Sequence, residues 1–414
     1  MTNEKINKFN WQILLIIMFV GVVTGIYRNG IMTVFPFLQS EYSLSRAQVG
    51  LYSTFLYISS TGVAIFSGRF ADHWGVKKSM IGGLLLMGVF ISLHSIAPSF
   101  MFILGFALLT GLGFSIIVPT SSKGIAEWYP AEKQSTVMGL MTLGFPIGGV
   151  IGSLVLPWIG KNFGWRIDII LIAFLIFLAA ILFTYFYKDK PKKVKTNQEK
   201  NKKKTSLYND ISVILKNNYM LTLCLLGIMF GLASGIVATH FTLFLYLDYG
   251  YTEVIAGLGF MLLQVGSMAA RPFWGLVNDN VFNNQKRYGF LILGIIVSFV
   301  SIVFAIMSNY SPSLPIILFF AFLLGASGRG WQGLYFSAVS EQVGEDDTGL
   351  GIGLSMVFVR LGILTGPPVF GYFADQAESY SYSWLILGIM MIVVIMVSHY
   401  FLTKFNHKKE VKQN

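Results

Sequence analysis

Twelve times along the 414-residue chain, the sequence runs for about 20 residues with hardly any charge. That recurrence limits the possible folds more than any other feature. A helix needs about 20 apolar residues to cross the hydrocarbon of a bilayer. The stretches lie at approximately 12–37, 49–69, 79–97, 101–122, 135–158, 167–187, 219–245, 254–276, 288–308, 314–338, 349–373 and 384–403. They are numbered span 1 to span 12 below. Length alone would suggest two or three soluble domains. With 54% apolar and only 12% charged residues, the chain has too little charge to cover such domains. The 43 glycines follow no strict period, which excludes a collagen-like chain, and 36 phenylalanines are too many for disorder. A single cysteine, Cys224, excludes a disulfide framework and a cysteine-based metal site. The sequence predicts an all-α integral membrane protein. Residues 1–10 are polar and the first apolar run is long enough to span, so no cleavable signal is expected.

Charge sets the expected orientation. An even number of spans puts both termini on one side. With the termini in the cytoplasm, 23 of the 30 Lys and Arg fall in cytoplasmic segments and three outside: Arg46, Lys161 and Arg166. This is the asymmetry of the positive-inside rule, and the net charge of +11 is mostly a topology signal. Nine lysines between Lys188 and Lys204 mark a cytoplasmic linker beside anionic lipid. A nucleic-acid partner is not expected.

The chain also repeats. Glu41, Gly50, Gly68 and Asp72 recur 207 positions on as Asp248, Gly257, Gly275 and Asp279. Pro98, Gly111, Glu127, Gly139, Gly148 and Gly152 recur 214 positions on as Pro312, Gly325, Glu341, Gly353, Gly362 and Gly366. The expected organisation is a six-helix half over 1–187, a lysine-rich linker over 188–217, and a second six-helix half over 218–414. Parallel repeats of this kind match the major facilitator plan, in which substrate binds near the bilayer midplane.

The resemblance to that superfamily rests on particular residues. Gly68-Arg69-Phe70-Ala71-Asp72-His73-Trp74-Gly75-Val76-Lys77-Lys78 resembles its signature between spans 2 and 3, departing at His73 and Val76, where basic residues are usual. Gly275-Leu276-Val277-Asn278-Asp279 is a shorter echo between spans 8 and 9. The glycines would let helices approach. The aspartates would face a helix N-terminus and hold the cytoplasmic side shut. Gly68, Asp72, Gly275 and Asp279, with Glu127 and Glu341 at the ends of spans 4 and 10, form the expected cytoplasmic gate. Within the superfamily, Pro36-Phe37-Leu38-Gln39-Ser40-Glu41 and Leu44-Ser45-Arg46 look like the start of organic-anion carriers. Ala270-Arg271-Pro272-Phe273-Trp274-Gly275 is similar to the span-8 motif of monocarboxylate and oxalate/formate carriers. That resemblance implies an anion-binding arginine at Arg271, and Arg360 stands in span 11, where oxalate/formate-type carriers place a basic residue. Ser267 stands where animal monocarboxylate transporters carry an aspartate.

Four arginines lie within spans: Arg28, Arg271, Arg329 and Arg360. A charge in hydrocarbon is costly and marks a pathway or a paired site. All 19 acidic residues fall in loops or at expected span ends, so an anionic substrate is the natural counter-ion. A guanidinium stays charged and matches a carboxylate bidentately. In the sister half the four arginines align with Gly235, Ala64, Ser115 and Pro146, so the fold itself does not need them. By the resemblance, all four lie on cavity-lining spans. Tyr27 and Asn29 flank Arg28, while Trp331, Gln332 and Tyr335 follow Arg329. These could shape a pocket or simply pack. His240 in span 7 is the expected proton-coupling candidate, with a neutral hydrogen-bonding role as the plainer alternative. Gly139, Gly148, Gly149 and Gly152 in span 5 read as close-packing positions.

No phosphate-binding loop, dinucleotide site or metal-ligand cluster occurs, so neither a cofactor nor a metal nor enzyme activity is expected. The expected function is secondary transport of a small organic anion, a mono- or dicarboxylate, across the cell membrane by alternating access. A co-transported proton or an exchanged counter-anion would drive it. The expected partners are that anion and the lipid bilayer, and the unit a monomer. A drug or sugar carrier of the same fold is the alternative, and a non-transporting receptor a different class.

Overall fold

A computed structural model describes residues 10–190, 217–308, 310, 312–343 and 348–413, with the side chains of 64–70, 72, 131–132, 135, 348–350 and 405–413 left undescribed. Among the described residues every regular element is helical. Eleven helical segments are long and apolar enough to cross a membrane: Trp11–Tyr42, His73–His94, Phe100–Trp128, Thr136–Phe163, Trp165–Phe186, Asn218–Leu247, Glu253–Asn280, Lys286–Met307, Leu314–Val343, Gly351–Gln376 and Ser381–Lys404. These are spans 1 and 3–12. Span 2 is the first part of the continuous Arg46–His94 helical stretch, which kinks at Gly75. There φ is +83°, a conformation glycine adopts without penalty. Asp189 accepts from the Lys77 backbone N–H at 2.9 Å just past the kink, meeting one of the orphan amides that begin span 3. The expected linker lies mostly outside the described residues.

The chain divides into two compact units, Met1–Ser43 with Phe55–Lys192, and Leu44–Thr54 with Lys193–Asn414. In each unit some of the repeated glycines mark where helix backbones meet. An added Cβ at Gly111 on span 4 would collide with the Leu56 carbonyl on span 2, and one at Gly325 on span 10 with the Leu263 carbonyl on span 8. A Cβ at Gly148 would come within 2.7 Å of the Ile26 nitrogen on span 1, and one at Gly362 within 2.6 Å of the Leu232 nitrogen on span 7. Gly152 lies equally close to Gly30, whereas Gly139 faces open space, so close packing is not its role here.

By the repeat, Leu44–Thr54 falls in the first half. By contact it belongs to the second unit. Asp375 accepts from the backbone N–H groups of Arg46 and Ala47 at 2.8 and 2.9 Å, meeting amides left without partners at the start of a helix. The Thr54 hydroxyl donates to the Leu364 carbonyl at 2.7 Å, and the Ser53 and Thr239 hydroxyls are 2.6 Å apart.

Candidate functional site

Two of the four arginines sit where their helices lose α-helical geometry. In span 1 the α-helix Trp11–Gly25 gives way to a π-helical turn, Ile26–Gly30, and then a 3-10 turn, Ile31–Val34. Arg28 lies in the π turn, a feature frequent at functional sites. Its Nε donates to the Tyr57 hydroxyl at 2.7 Å. Its guanidinium carbon is 5.6 Å from the Tyr57 ring centre and 5.8 Å from that of Phe114, within cation–π range. The Asn29 amide lies 3.5 Å from the Phe145 carbonyl. Tyr27 is fully buried in the first unit, in a packing position.

Span 10 breaks between Leu314–Gly328 and Gln332–Val343. Arg329 occupies the break at φ −130° and ψ −10°. Non-helical backbone at membrane depth must be satisfied by neighbouring groups, and here side chains do so. Ser234 donates to the Gly328 carbonyl at 2.6 Å and accepts from Trp331 Nε1 at 3.0 Å. Ser267 approaches the Arg329 carbonyl at 3.4 Å, and Trp274 Nε1 donates to Ala326 at 3.1 Å. Arg329 Nη1 donates to the Gln264 side-chain oxygen at 2.5 Å.

Arg271 and Arg360 are half-buried within continuous helical stretches of spans 8 and 11. Trp331 and Tyr335 are fully buried. Trp331 stacks on Phe230 at 5.5 Å and meets Tyr335 edge-on at 5.2 Å. That places them in the interior packing of the second unit, while Gln332 is half-buried beside the break. His240 is fully buried with both ring nitrogens engaged, 2.8 Å from the Pro367 carbonyl and 3.0 Å from the Tyr380 hydroxyl. A carbonyl only accepts, so Nε2 carries a proton, while the Tyr380 hydroxyl can donate to Nδ1 in the neutral ring or accept from it in the protonated one.

Of the expected gate, the side chains of Gly68 and Asp72 lie outside the described residues. An added Cβ at Gly275 would meet nothing within 4 Å, so this glycine does not serve close helix approach here. Asp279 is exposed, with Asn278 Nδ2 at 3.4 Å. Glu341 pairs with the buried Lys286 of its own unit, and Glu127 has the Tyr187 hydroxyl at 3.5 Å.

Two residues escape the sequence reading. Gln264 stands seven positions before Arg271, two turns along the same helix face, and that spacing was the available signal. Asp168, in the first turn of span 6, is fully buried, and its carboxylate oxygens have no hydrogen-bond partner among the described residues.

The sequence matches the profile of the Major Facilitator Superfamily over residues 17–325 and 232–414. The chain belongs to that superfamily. It is a membrane transporter with many spanning helices, and not an enzyme. Among the superfamily's members it is similar to the hexuronate transporter of Bacillus subtilis (strain 168), with 24% identity over 404 residues and 92% of each chain covered. It is also similar to the multi-drug resistance efflux pump PmrA of Streptococcus pneumoniae serotype 4, with 26% identity covering 91% of this chain and 94% of the pump. Its fold matches an inward-facing, unoccupied crystal structure of a bacterial homologue of the human lysosomal transporter Spinster. The TM-score is 0.78 at 15% identity, over 96% of this chain and 97% of that one.

Proposed function

We propose that this major facilitator protein carries a small organic anion, a mono- or dicarboxylate, across the cell membrane by alternating access, with its mid-span arginines as the anion ligands. The observation that carries this reading is a coincidence. Arg28 and Arg329 break the internal sequence symmetry at the places where spans 1 and 10 also break their helices. Arg271 and Arg360 add two more half-buried guanidinium groups on spans 8 and 11 of the second unit. The likeness to a hexuronate transporter supports the anion class. Both termini and the lysine-rich linker would be cytoplasmic, and the gate would be the signature aspartates.

Coupling is by anion exchange or proton symport. For symport, His240 would be the proton carrier, with its ring nitrogens against the Pro367 carbonyl and the Tyr380 hydroxyl. The likeness to an efflux pump favours a second reading, export of a drug. Four arginines within the spans disfavour it for a cationic compound.

The test is uptake into proteoliposomes, with a thermal-shift screen against mono- and dicarboxylates, sulfonates, phosphates and cationic drugs. Binding to the folded state alone raises stability by about 2.7 kcal/mol at a hundredfold excess over Kd. Arg271→Gln and Arg360→Gln should each abolish measurable carboxylate transport while melting stays near normal. Charge-assisted bonds contribute about 1.5–3 kcal/mol each, roughly ten- to a hundredfold in affinity. Near-wild-type affinity in both variants would sink the anion assignment.

A further inference from the structure

Gln264 is 1% exposed, on span 8. Its side-chain oxygen faces Arg329 Nη1 at 2.5 Å. A guanidinium only donates, so this contact fixes the amide orientation, with oxygen toward Arg329 and the NH2 group away. That buried NH2 has no hydrogen-bond partner among the described residues. The carbonyls opened by the span-10 break do not accept from it. Ser234 takes Gly328, Trp274 takes Ala326, and Ser267 stands against Arg329. An oriented, buried donor with no acceptor is costly unless something transient supplies one.

We propose that Gln264 is a specificity-determining residue whose amide donates to a neutral oxygen of the substrate, a hydroxyl, while a guanidinium takes the carboxylate. The inference rests on the anion reading above and deepens it. The preferred substrates are hydroxylated carboxylic acids rather than plain aliphatic or aromatic ones. The division follows charge: a planar cation suits the carboxylate, and a neutral NH2 suits a neutral acceptor. A site built to bond a hydroxyl rejects the analogue that lacks it far more strongly than an apolar pocket rejects a missing methylene.

The experiment measures binding to purified full-length protein for three matched pairs: D-gluconate and hexanoate, lactate and propionate, 4-hydroxybenzoate and benzoate. The wild type should favour the hydroxylated member of at least one pair by about a hundredfold or more. Gln264→Met, similar in length but without donors, should reduce that ratio to below about tenfold; a loss shared by both members reports only the lost contact with Arg329 and leaves the ratio as the readout. Equal binding within every pair by the wild type overturns the assignment of Gln264 and leaves the anion reading intact, and this arm needs no variant to fold. A folded Gln264→Met protein that keeps the wild-type ratio also overturns it. If no carboxylate of any pair binds while a cationic drug does, the anion reading itself falls, and this inference with it.

Discussion

Spans 1 and 7 are repeat partners, yet only span 1 departs from α-helical geometry mid-way. It carries Arg28 in a π turn, whereas span 7 is one α-helix from Asn218 to Leu247 with Gly235 at the matching place. Spans 4 and 10 show the reverse. Span 4 is continuous from Phe100 to Trp128 around Ser115, and span 10 breaks at Arg329. Each repeated pair therefore keeps one member regular and interrupts the other at an arginine, with one interruption in each unit. Packing shows why the positions are not interchangeable. A Cβ at Gly235 would come within 3.0 Å of the Ile363 Cα on span 11, so no long side chain fits there without moving a helix. At Gly111, Gly148, Gly325 and Gly362 the kept repeat serves packing; at Arg28 and Arg329, though not at Arg271 and Arg360, the broken repeat brings a charge and an irregular backbone together.

The largest effect should come from removing those two charges. Arg28→Gln and Arg329→Gln are each expected to lower organic-anion transport by about a hundredfold or more, with little change in melting temperature. Arg→Lys at either site should lose less, because charge remains while the planar fork is gone. Normal transport by both glutamine variants would mean that the breaks serve something other than the anion.

Next come the positions where the two units agree. Gly111→Val and Gly325→Val both force a side chain onto a carbonyl of the partner span. Overpacking of this kind costs about 1–3 kcal/mol or more. Thermal melting should show comparable losses for the pair. Tolerance at one site alone would break the equivalence of the span 2–4 and span 8–10 contacts.

Ser234→Ala should act on the second unit only. It leaves the Gly328 carbonyl and the Trp331 N–H without their present partner, at a cost of about 1–3 kcal/mol. An unchanged melting temperature would show that the break holds without Ser234. The smallest effect is expected from Asp168→Asn, which removes a buried carboxylate that lacks a hydrogen-bond partner and should leave stability equal or slightly higher. A marked loss of stability would show that the negative charge is needed.

How much of this the sequence discloses depends on whether the signal is local. Spans follow from runs of apolar residues. The paired glycines follow from the repeat, because close backbone approach is met by one residue type. The break in span 10 has a local trace in Gly328-Arg329-Gly330, two glycines around one arginine, although the triplet alone does not distinguish a break from close packing. The π turn at Ile26–Gly30 has almost none. The attachment of Leu44–Thr54 to the second unit depends on Asp375, 329 positions from Arg46, and no local pattern reports that. His240 shows the limit from the other direction. A histidine in a lining span suggests a proton carrier, but its partners, the Pro367 carbonyl and the Tyr380 hydroxyl, are supplied by tertiary structure.

The two interrupted helices also differ in when their arginines can find company. A chain is made from its N-terminus. Arg28 reaches the membrane ahead of Tyr57 and Phe114, so it must enter without the groups that later surround it. An arginine at the centre of an inserting helix costs about 2.5–3.5 kcal/mol. Arg329 arrives after Gln264 is already in place. Span 1 must therefore insert on its own apolar character, whereas span 10 can be received by helices that precede it.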